Sequence, residues 1–409
     1  MRIALARLRE DLETLARIGR SPSGGISRPA WSPAHEEARA WLLGRLRDAG
    51  LEASVDTAGN IVGRLGDGGP TVMAGSHIDT VPDGGPFDGA LGVLAALECV
   101  RTIREAGVRL ARPLEVAAFT DEEGRYYGFF GSRAMAGQLD PALIPRLADP
   151  TGDRLEAAMT RAGFDPSKAA GAARDPRGIA AYVELHIEQG PWLEAEGIPI
   201  GVVEAVVGIR RLRLTFVGSP DHAGTTPMDR RRDSFFTAAE YAVKTRDLVV
   251  KRGSGRSVTT IGVVEVQPGV PNIVPARTAL LQEFRDADPT VVDRLARETV
   301  ALARRVARRR GLEVAIEELF RAEPVRLSPR IQAAVEAAAA ELGLPTKRMP
   351  SGAGHDAQIL ATVTEAGMLF IPSQGGRSHR PDEWSDWGAI EQGANVLLHA
   401  LHRLAGEGR

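Results

Sequence analysis

The pattern that most constrains the fold is a short apolar run that ends in a polar, glycine-containing loop, and it occurs more than once. Residues 71–74 run into GSHIDTVPDGGPFDG, and residues 114–119 run into TDEEG. Both runs are bounded by turn residues and predict buried strands. Residues 91–106 lie between them and have the length of a helix, which makes a strand, helix, strand unit. The sequence therefore predicts an α/β protein whose site residues follow the carboxyl ends of strands.

The flanking segments extend this pattern. Residues 1–20 carry apolar residues at helical spacing interrupted by charges, which indicates a helix rather than a signal sequence or a membrane span. A helix is predicted over residues 32–49, where Gly50 ends it, and again over residues 328–342. Strands are predicted over residues 61–65 and 182–185, the second running into HIEQG. Two further polar loops are PSGAGHDAQ and PSQGGRSHRPDEW.

The character of the sequence changes near Ile209. The run IRRLRLTFVG alternates apolar and charged residues, and although this alternation is broken at Arg210-Arg211, it predicts a half-exposed strand. The remaining elements are predicted as follows: a helix over 234–251, strands over 258–267 and 278–286, a helix from the Asp288-Pro289 cap to Gly311, and a strand over 312–319. We interpret residues 210–323 as a small inserted α+β (ferredoxin-like) domain. Residues 1–209 and 324–409 then form a larger domain with a mixed central sheet and helices on both faces.

Charge and cysteine content exclude several classes of function. The 409 residues carry a net charge of -2, which gives no electrostatic reason to expect nucleic acid or an anionic membrane as a partner. Arg304 to Arg310 is interpreted as the solvated face of a helix. The only cysteine, Cys99, lies in an apolar run and is predicted to be a buried thiol. The protein is expected to be soluble and cytoplasmic.

The polar loops contain residues that suit a metal centre. His77 and Asp88 offer imidazole and carboxylate, the usual ligands of zinc and its first-row neighbours, although an isolated His-x-Asp is more often a simple turn. Adjacent carboxylates, Glu122 and Glu123, suit a site in which one binds metal and the other handles protons. Of the eight histidines, five lie in loop-like contexts and three in helical patterns. The first group is His77, His186, His222, His355 and His379, and the second is His35, His399 and His402.

These motifs, taken in order, resemble the hydantoinase/carbamoylase amidase family, a branch of the co-catalytic metallopeptidase and amidohydrolase group. The resemblance covers nearly the whole chain. It is carried by GGISRPAWSP, DTAGNIVGRLG, GSHIDTVPDGGPFDGALGV, TDEEG, GSRAMAG, ELHIEQG, DHAGTTPM, PNIVP, EFRD, SGAGHDAQ and GGRSHRPDE. HIEQG separates this family from related dipeptidases and deacylases, which commonly have a carboxylate where His186 stands.

The resemblance implies a two-metal site. One ion would be held by His77, Asp88 and His186, and the other by Asp88, Glu123 and His379, so that Asp88 bridges them. Asp79 would orient His77. Glu122 matches the family's general base, which takes a proton from the attacking water and returns it to the leaving nitrogen. Zinc, manganese, cobalt and nickel all accept this donor set.

The resemblance also assigns substrate contacts. They fall on Gln189, His222, Asn272, Arg285 and Gly354. Arg285 would grip a carboxylate bidentately, and its alternative is an ion pair with Asp286 or Glu283. His222 would stabilise the oxyanion and would come from the inserted domain of a partner subunit, which predicts a homodimer. The inserted domain would then act as a lid and dimerisation domain, with hinges near residues 209 and 323.

The expected activity is metal-dependent hydrolysis of N-carbamoyl-L-amino acids to the L-amino acid, carbon dioxide and ammonia. Allantoate amidohydrolase is the main alternative, because both substrates present a ureido group and a carboxylate. An aminoacylase or dipeptidase, a beta-ureidopropionase and a catalytically silent binding protein are weaker alternatives. The chain departs from the family in a short segment, RYYGFF, and in Arg380, where a small residue is more usual. Both departures bear on the substrate pocket.

Overall fold

The computed structural model describes residues 1–406, which divide into two compact units. Unit 1 comprises Met1–Glu204 and the chain from Arg326 onward, and unit 2 comprises Ala205–Val325. Within residues 1–406, no helix combines the length and the apolar character that crossing a bilayer requires.

Unit 1 alternates helices and strands over most of its length. Before unit 2 its elements are α1 (Leu5–Leu15), α2 (Pro33–Asp48), β1 (Glu52–Val55), β2 (Ile61–Leu65), β3 (Thr71–His77), α3 (Ala90–Glu105), β4 (Leu114–Phe119), α4 (Phe130–Met135), α5 (Leu155–Arg161), β5 (Ile179–Ile187), α6 (Trp192–Glu196) and β6 (Ile200–Val206). Unit 2 contains β7 (Gly208–Val217), α7 (Ser234–Arg252), β8 (Val258–Gln267), β9 (Arg277–Asp286), α8 (Pro289–Arg309) and β10 (Glu313–Ala322). Then come β11 (Val325–Arg326), α9 (Pro329–Glu341), β12 (Thr346–Ser351), α10 (Asp356–Leu360), β13 (Ala366–Ile371) and α11 (Trp387–Gly406).

The sheet of unit 1 is mixed, which confirms the predicted α/β class. Its strand order is β1-β2-β4-β3-β5-β13-β6-β11, with β12 paired to β6. The four neighbouring strands β4, β3, β5 and β13 run parallel, whereas β1, β2 and β6 pair antiparallel. The parallel strands bring the carboxyl ends of β4, β3, β5 and β13 to the same edge of the sheet. The loops that follow these ends carry the predicted site residues.

Local sequence explains the helices that flank this sheet. Ser32 caps α2 by accepting a hydrogen bond from the His35 amide, and Pro33 occupies the first helical position. Helix α3 is buried from Ala90 to Ile103, and its buried charges Glu98 and Arg101 are paired with Arg7 and Asp11. Cys99 lies in it as a buried free thiol, as predicted.

Unit 2 has the predicted order of strand, helix, two strands, helix and strand. Its four strands form an antiparallel sheet in the order β10-β7-β9-β8. Asp288 caps α8 through its side chain, and Pro289 begins the helix, both as predicted. The predicted half-exposed strand is β7, which runs through Arg210-Arg211, where the apolar alternation of the sequence is broken. Arg210 is buried and pairs through Nη2 with Asp293 and, at 3.2 Å, with Glu323, which permits a charge at a core position.

Several other elements differ from the sequence predictions. Strands β3 and β5 are longer than predicted. His77 and His186 therefore lie at the carboxyl ends of these strands rather than in the loops that follow. The first helix is shorter, covering Leu5–Leu15 only. Strands β1, β6, β11, β12 and β13 and the short helices α4, α5, α6 and α10 were not predicted from the sequence.

Candidate metal centre

The loops at the carboxyl ends of the parallel strands bring six ionisable side chains of unit 1 together. They are His77, Asp88, Glu122, Glu123, His186 and His379. His77 ends β3, His186 lies one residue before the end of β5, Glu122 and Glu123 follow β4, and His379 follows β13. Asp88 lies just before α3. All of these were predicted as metal or catalytic residues, and the structure brings all of them together.

Asp88 lies between three imidazole rings. Its Oδ1 is 3.7 Å from His77 Nε2 and 3.2 Å from His186 Nε2. Its Oδ2 is 3.2 Å from His379 Nε2, and His379 Nε2 is 3.5 Å from Glu123 Oε2. Among residues 1–406, the donor groups close enough to share an ion include His77-Asp88-His186 and Asp88-Glu123-His379. These two groups share Asp88.

The backbone orients two of the imidazoles toward this centre. His77 Nδ1 is 2.9 Å from the carbonyl oxygen of Asp79, and His186 Nδ1 is 2.8 Å from that of Ile187. A proton on Nδ1 donates to each carbonyl, which leaves Nε2 as the acceptor atom that faces the centre, and His186 Nε2 accepts the Gly89 amide at 3.2 Å. Asp79 was predicted to orient His77, and its main-chain oxygen makes the contact. Its carboxylate is too distant, with Oδ1 at 3.9 Å from His77 Nδ1, and Oδ2 instead accepts a hydrogen bond from the Glu123 amide.

Burial and like charge set the protonation of the carboxylates. Burial, followed by repulsion from Asp356 and Glu123, raises the pKa of Glu122 well above its usual range. Burial and the charge of Asp88 raise the pKa of Glu123 to about 8. Burial opposes ionisation of Asp88 as well, but its contacts with His186 and His379 hold its pKa well below the usual value. Clustered carboxylates that cannot all be charged at once are stabilised by added cations.

The donor set fits divalent metal ions. Imidazole nitrogens with lone pairs directed inward and carboxylate oxygens are the ligands of zinc and its neighbours. Glu123 Oε1 is buried without a hydrogen-bond partner within residues 1–406, which leaves a carboxylate oxygen available as a ligand. Gly89 gives the loop room, since a Cβ there would lie 2.5 Å from the His77 ring. Each triplet offers ligands to one ion.

Gln189 and Gly354, predicted substrate residues, lie beside this cluster in unit 1. Gln189 has a φ of 56° and donates through Nε2 to Asp88 Oδ2 at 2.8 Å and to Ser378 Oγ at 3.1 Å. Its Oε1 is buried without a partner among residues 1–406. Gly354 precedes His355, whose ring packs on that of His186 at 4.6 Å, and a Cβ at Gly354 would lie 2.6 Å from the Phe129 ring. A side chain at Gly354 would require the Phe129 ring to move.

The other predicted substrate residues, His222, Asn272 and Arg285, belong to unit 2. His222 is exposed, and its Nδ1 accepts a hydrogen bond from the Gly224 amide at 3.0 Å, which leaves the ring proton of the neutral imidazole on Nε2. The Asn272 carbonyl accepts the Ala223 amide at 3.0 Å, so the two loops lie together. Arg285 lies on β9 and donates through Nε to Glu283 Oε1 at 2.7 Å, which is the ion pair expected as the alternative to substrate binding.

Sequence reasoning missed residues that hold the site loops from behind. Arg28 is buried and donates to the carbonyls of Ile78, Leu15 and Ile18, tying α1 to the loop after β3. Asp121 has a φ of 57° and accepts the amides of Arg125, Tyr126 and Tyr127, which orders the start of RYYGFF. The sequence did offer a signal for Asp121, because aspartate commonly begins turns by accepting hydrogen bonds from the following backbone amides. No local pattern marks Arg28, because its partners are backbone carbonyls distant in sequence.

Known proteins resemble this chain over most of its length. The family model described as peptidase family M20/M25/M40 matches residues 73–403. The chain belongs to this family. The N-carbamoyl-L-amino acid amidohydrolase of Geobacillus stearothermophilus is 40% identical to this M20 chain over 404 residues, covering 98% of each. The allantoate amidohydrolase of Bacillus subtilis is 34% identical over 401 residues, covering 96% of each.

A solved structure shows the same relationship. The hydantoinase/carbamoylase family amidase of Burkholderia multivorans superimposes on this M20 chain with a TM-score of 0.91 and 36% sequence identity. The match covers 100% of this chain and 99% of that one. The resemblance predicted from the motifs is therefore confirmed.

Proposed function

We propose that this M20 chain is a two-metal amidohydrolase that converts N-carbamoyl-L-amino acids into the L-amino acid, carbon dioxide and ammonia. The observation that carries the proposal is the pair of donor triplets that share Asp88 beside the buried Glu122. The substrate class is supported by the relative from Geobacillus stearothermophilus, which matches over the full length. Zinc, manganese, cobalt and nickel all suit the donors.

The proton-transfer role is assigned to Glu122. Bound divalent ions supply charge stabilisation at the attacked carbonyl and make water easier to deprotonate. Glu122 Oε2 lies 3.5 Å from His77 Nε2, at the centre of the donor cluster, so it is within reach of a water there. Its raised pKa makes it a stronger proton acceptor than an exposed glutamate. Glu122 takes a proton from the attacking water and delivers it to the leaving nitrogen.

Substrate recognition is assigned to polar groups of both units. Gln189 Oε1 offers a buried acceptor for a ureido N–H, because its amide nitrogen is already held by Asp88 and Ser378. His222 Nε2 offers a donor for the oxyanion, and Arg285 a cation for the substrate carboxylate. Asn272 and Gly354 complete the proposed substrate contacts. Arg285 would exchange part of its interaction with Glu283 for the substrate.

Substrate preference is tested by measuring ammonia release from N-carbamoyl-L-amino acids, their D-enantiomers, allantoate and N-acetyl amino acids. Manganese-loaded and chelator-stripped protein are compared. We expect metal-dependent ammonia release that is fastest with the L-carbamoyl series. Faster release from allantoate would favour the second candidate, which the Bacillus subtilis relative supports. Faster hydrolysis of N-acetyl substrates, assayed by amine release, would replace both candidates by an aminoacylase.

We also propose that the chain forms a homodimer through a surface of unit 2. Helix α7 exposes apolar side chains at seven-residue intervals, Phe236 at 52%, Val243 at 63% and Val250 at 75% exposure. Within residues 1–406, the neighbouring strand β8 pairs only with β9 and also exposes Val258 and Val264. An edge strand beside an apolar helix face is a surface that a second copy covers well. The lid role of unit 2, with hinges near residues 209 and 323, and the cytoplasmic location remain predictions.

A mixed-dimer experiment tests whether His222 acts on the partner's site. Glu122→Gln and His222→Ala variants are each expected to be nearly inactive. If the site combines Glu122 of one subunit with His222 of the other, subunit exchange in an equal mixture restores about a quarter of wild-type activity, since one site in each heterodimer is intact. The control is the double variant, which carries both changes, mixed with an inactive protein of the same size. Failure to regain activity despite confirmed exchange would place His222 in the site of its own subunit.

A further inference from the structure

Glu383 is a buried carboxylate that the proposed reaction does not use. It is 2% exposed, and the structure gives it no Lys or Arg ion-pair partner within residues 1–406. Its neighbour Asp382 is exposed and pairs with Arg377 at 2.7 Å. Burying a carboxylate is costly unless its oxygens accept several hydrogen bonds. The contacts of Glu383 therefore indicate what it does.

Those contacts join the loop of Asp88 to the loop of His379. Glu383 Oε1 accepts the backbone amides of Phe87 at 3.0 Å and Asp88 at 3.1 Å. Glu383 Oε2 lies 2.8 Å from the hydroxyl of Ser378, the residue before His379. One carboxylate thus fixes the backbone of the shared donor and the start of the turn that carries His379.

The hydrogen-bond directions around Ser378 follow from a count of protons. Ser378 Oγ is 2.8 Å from Glu383 Oε2 and 2.9 Å from Asp88 Oδ2, but its hydroxyl has one proton to donate. Gln189 Nε2 carries two protons and reaches both Asp88 Oδ2 and Ser378 Oγ. In the arrangement that provides Glu383 Oε2 with a donor, Gln189 donates to Asp88 and Ser378, and Ser378 donates to Glu383. Glu383 is the terminal acceptor of this network.

The surrounding backbone is arranged to accommodate Glu383. A Cβ at Gly85 would lie 2.2 Å from Glu383 Cδ, so the loop before Asp88 makes room for the carboxyl group. His379 has a φ of 58°, a conformation that is unfavourable for a residue other than glycine and must be held by its surroundings. The Glu383 amide closes the turn by donating to the Arg380 carbonyl at 3.1 Å.

We propose that Glu383 is a positioning residue that selectively sets the affinity of the ion bound by Asp88, Glu123 and His379. The inference rests on the two-metal function proposed above. The other triplet depends on Glu383 less, because His77 and His186 are each oriented by a backbone carbonyl of their own loop. Loss of Glu383 loosens Asp88 and His379 together, and these are two of the three donors to the second ion.

The test is equilibrium dialysis of purified full-length protein against Mn²⁺, with bound metal measured per subunit. We expect Glu383→Ala to bind the first ion with nearly wild-type affinity and the second about 10- to 100-fold more weakly, as is usual when a partner of a metal ligand is lost. Glu123→Gln, which removes a direct ligand of that ion only, gives the reference behaviour. Asp382→Asn is the matched control, because it removes a neighbouring negative charge, which pairs with Arg377 and Arg380, and leaves the hydrogen-bond partners of Glu383 in place.

Glu383→Gln distinguishes positioning from charge. Its Oε1 can still accept the two backbone amides, while its amide nitrogen faces Ser378, which can then donate to Asp88 instead. We expect the second ion to bind within about threefold of wild type, since the backbone contacts survive. The affinity of Ser378→Ala for the second ion should lie between those of Glu383→Ala and Glu383→Gln. If Glu383→Ala does not fold, Ser378→Ala and Glu383→Gln together test the positioning role.

Each outcome has a distinct meaning. Two ions bound by Glu383→Ala as tightly as by wild type would overturn the inference, as would equal weakening of both ions. Equal weakening by Glu383→Gln and Asp382→Asn would show that negative charge, not positioning, is responsible. Wild-type protein that binds fewer than two ions would instead overturn the proposed two-metal function.

Discussion

Replacing Glu122 by glutamine is expected to abolish turnover while leaving two metal ions bound. Glutamine keeps the shape of the side chain but cannot accept the proton of the attacking water. The loss of a general base lowers kcat by about 100- to 10,000-fold. Steady-state kinetics and metal content of the same preparation check both parts of the prediction.

The metal content distinguishes a general base from a metal ligand at Glu122. Its carboxylate lies close enough to His77 and Glu123 for these three residues to hold an ion themselves. If Glu122 is a ligand, Glu122→Gln loses metal as well as activity. Glu123→Gln is the matched control, since the same change one residue along the chain should release the ion held with Asp88 and His379. An active Glu122→Gln enzyme would contradict the assignment of the general base.

The second large effect is expected at Asp88. Asp88→Ala should lose both ions, because Oδ1 faces His77 and His186 while Oδ2 faces His379. Removing ions that contribute on the order of 4 kcal/mol to charge stabilisation in the transition state lowers kcat/KM by about 1,000-fold. Added metal should restore little activity. The measurement is kcat/KM across a Mn²⁺ titration.

Asp79→Asn is the control for this variant. The Asp79 main-chain carbonyl, which orients His77, is retained, and only the carboxylate contact with the Glu123 amide is altered. We therefore expect two bound ions and a modest loss of activity. If Asp88→Ala retained one tightly bound ion, Asp88 would be a ligand to one ion rather than a bridge.

The parallel strands and the metal donors could be predicted because both are encoded locally. The runs before GSHIDT and TDEEG are apolar and bounded by turns, and each donor lies next to glycine or acidic residues in a recognisable motif. Helix α8 likewise begins at its predicted cap, Asp288, because the capping residue and Pro289 are adjacent in sequence. The order of elements in unit 2 followed from such short-range signals.

The features that were missed depend on contacts between distant parts of the chain. Strand β13 is the parallel neighbour of β5, yet AGMLFI alone does not distinguish a buried strand from a buried helix. The burial of Arg210 in β7 is explained by its ion pairs with Asp293 and Glu323, far along the sequence. Glu383 looks like one acid among several in RPDEW, and only its contacts with Phe87, Asp88 and Ser378 distinguish it.

The most direct test of the two-metal account is anomalous diffraction from crystals of the manganese-loaded protein. We predict two peaks per subunit, about 3.5 to 4 Å apart, with Asp88 between them. One peak should be ligated by His77 and His186 and the other by Glu123 and His379. A single peak, or two peaks that do not share Asp88, would contradict the account.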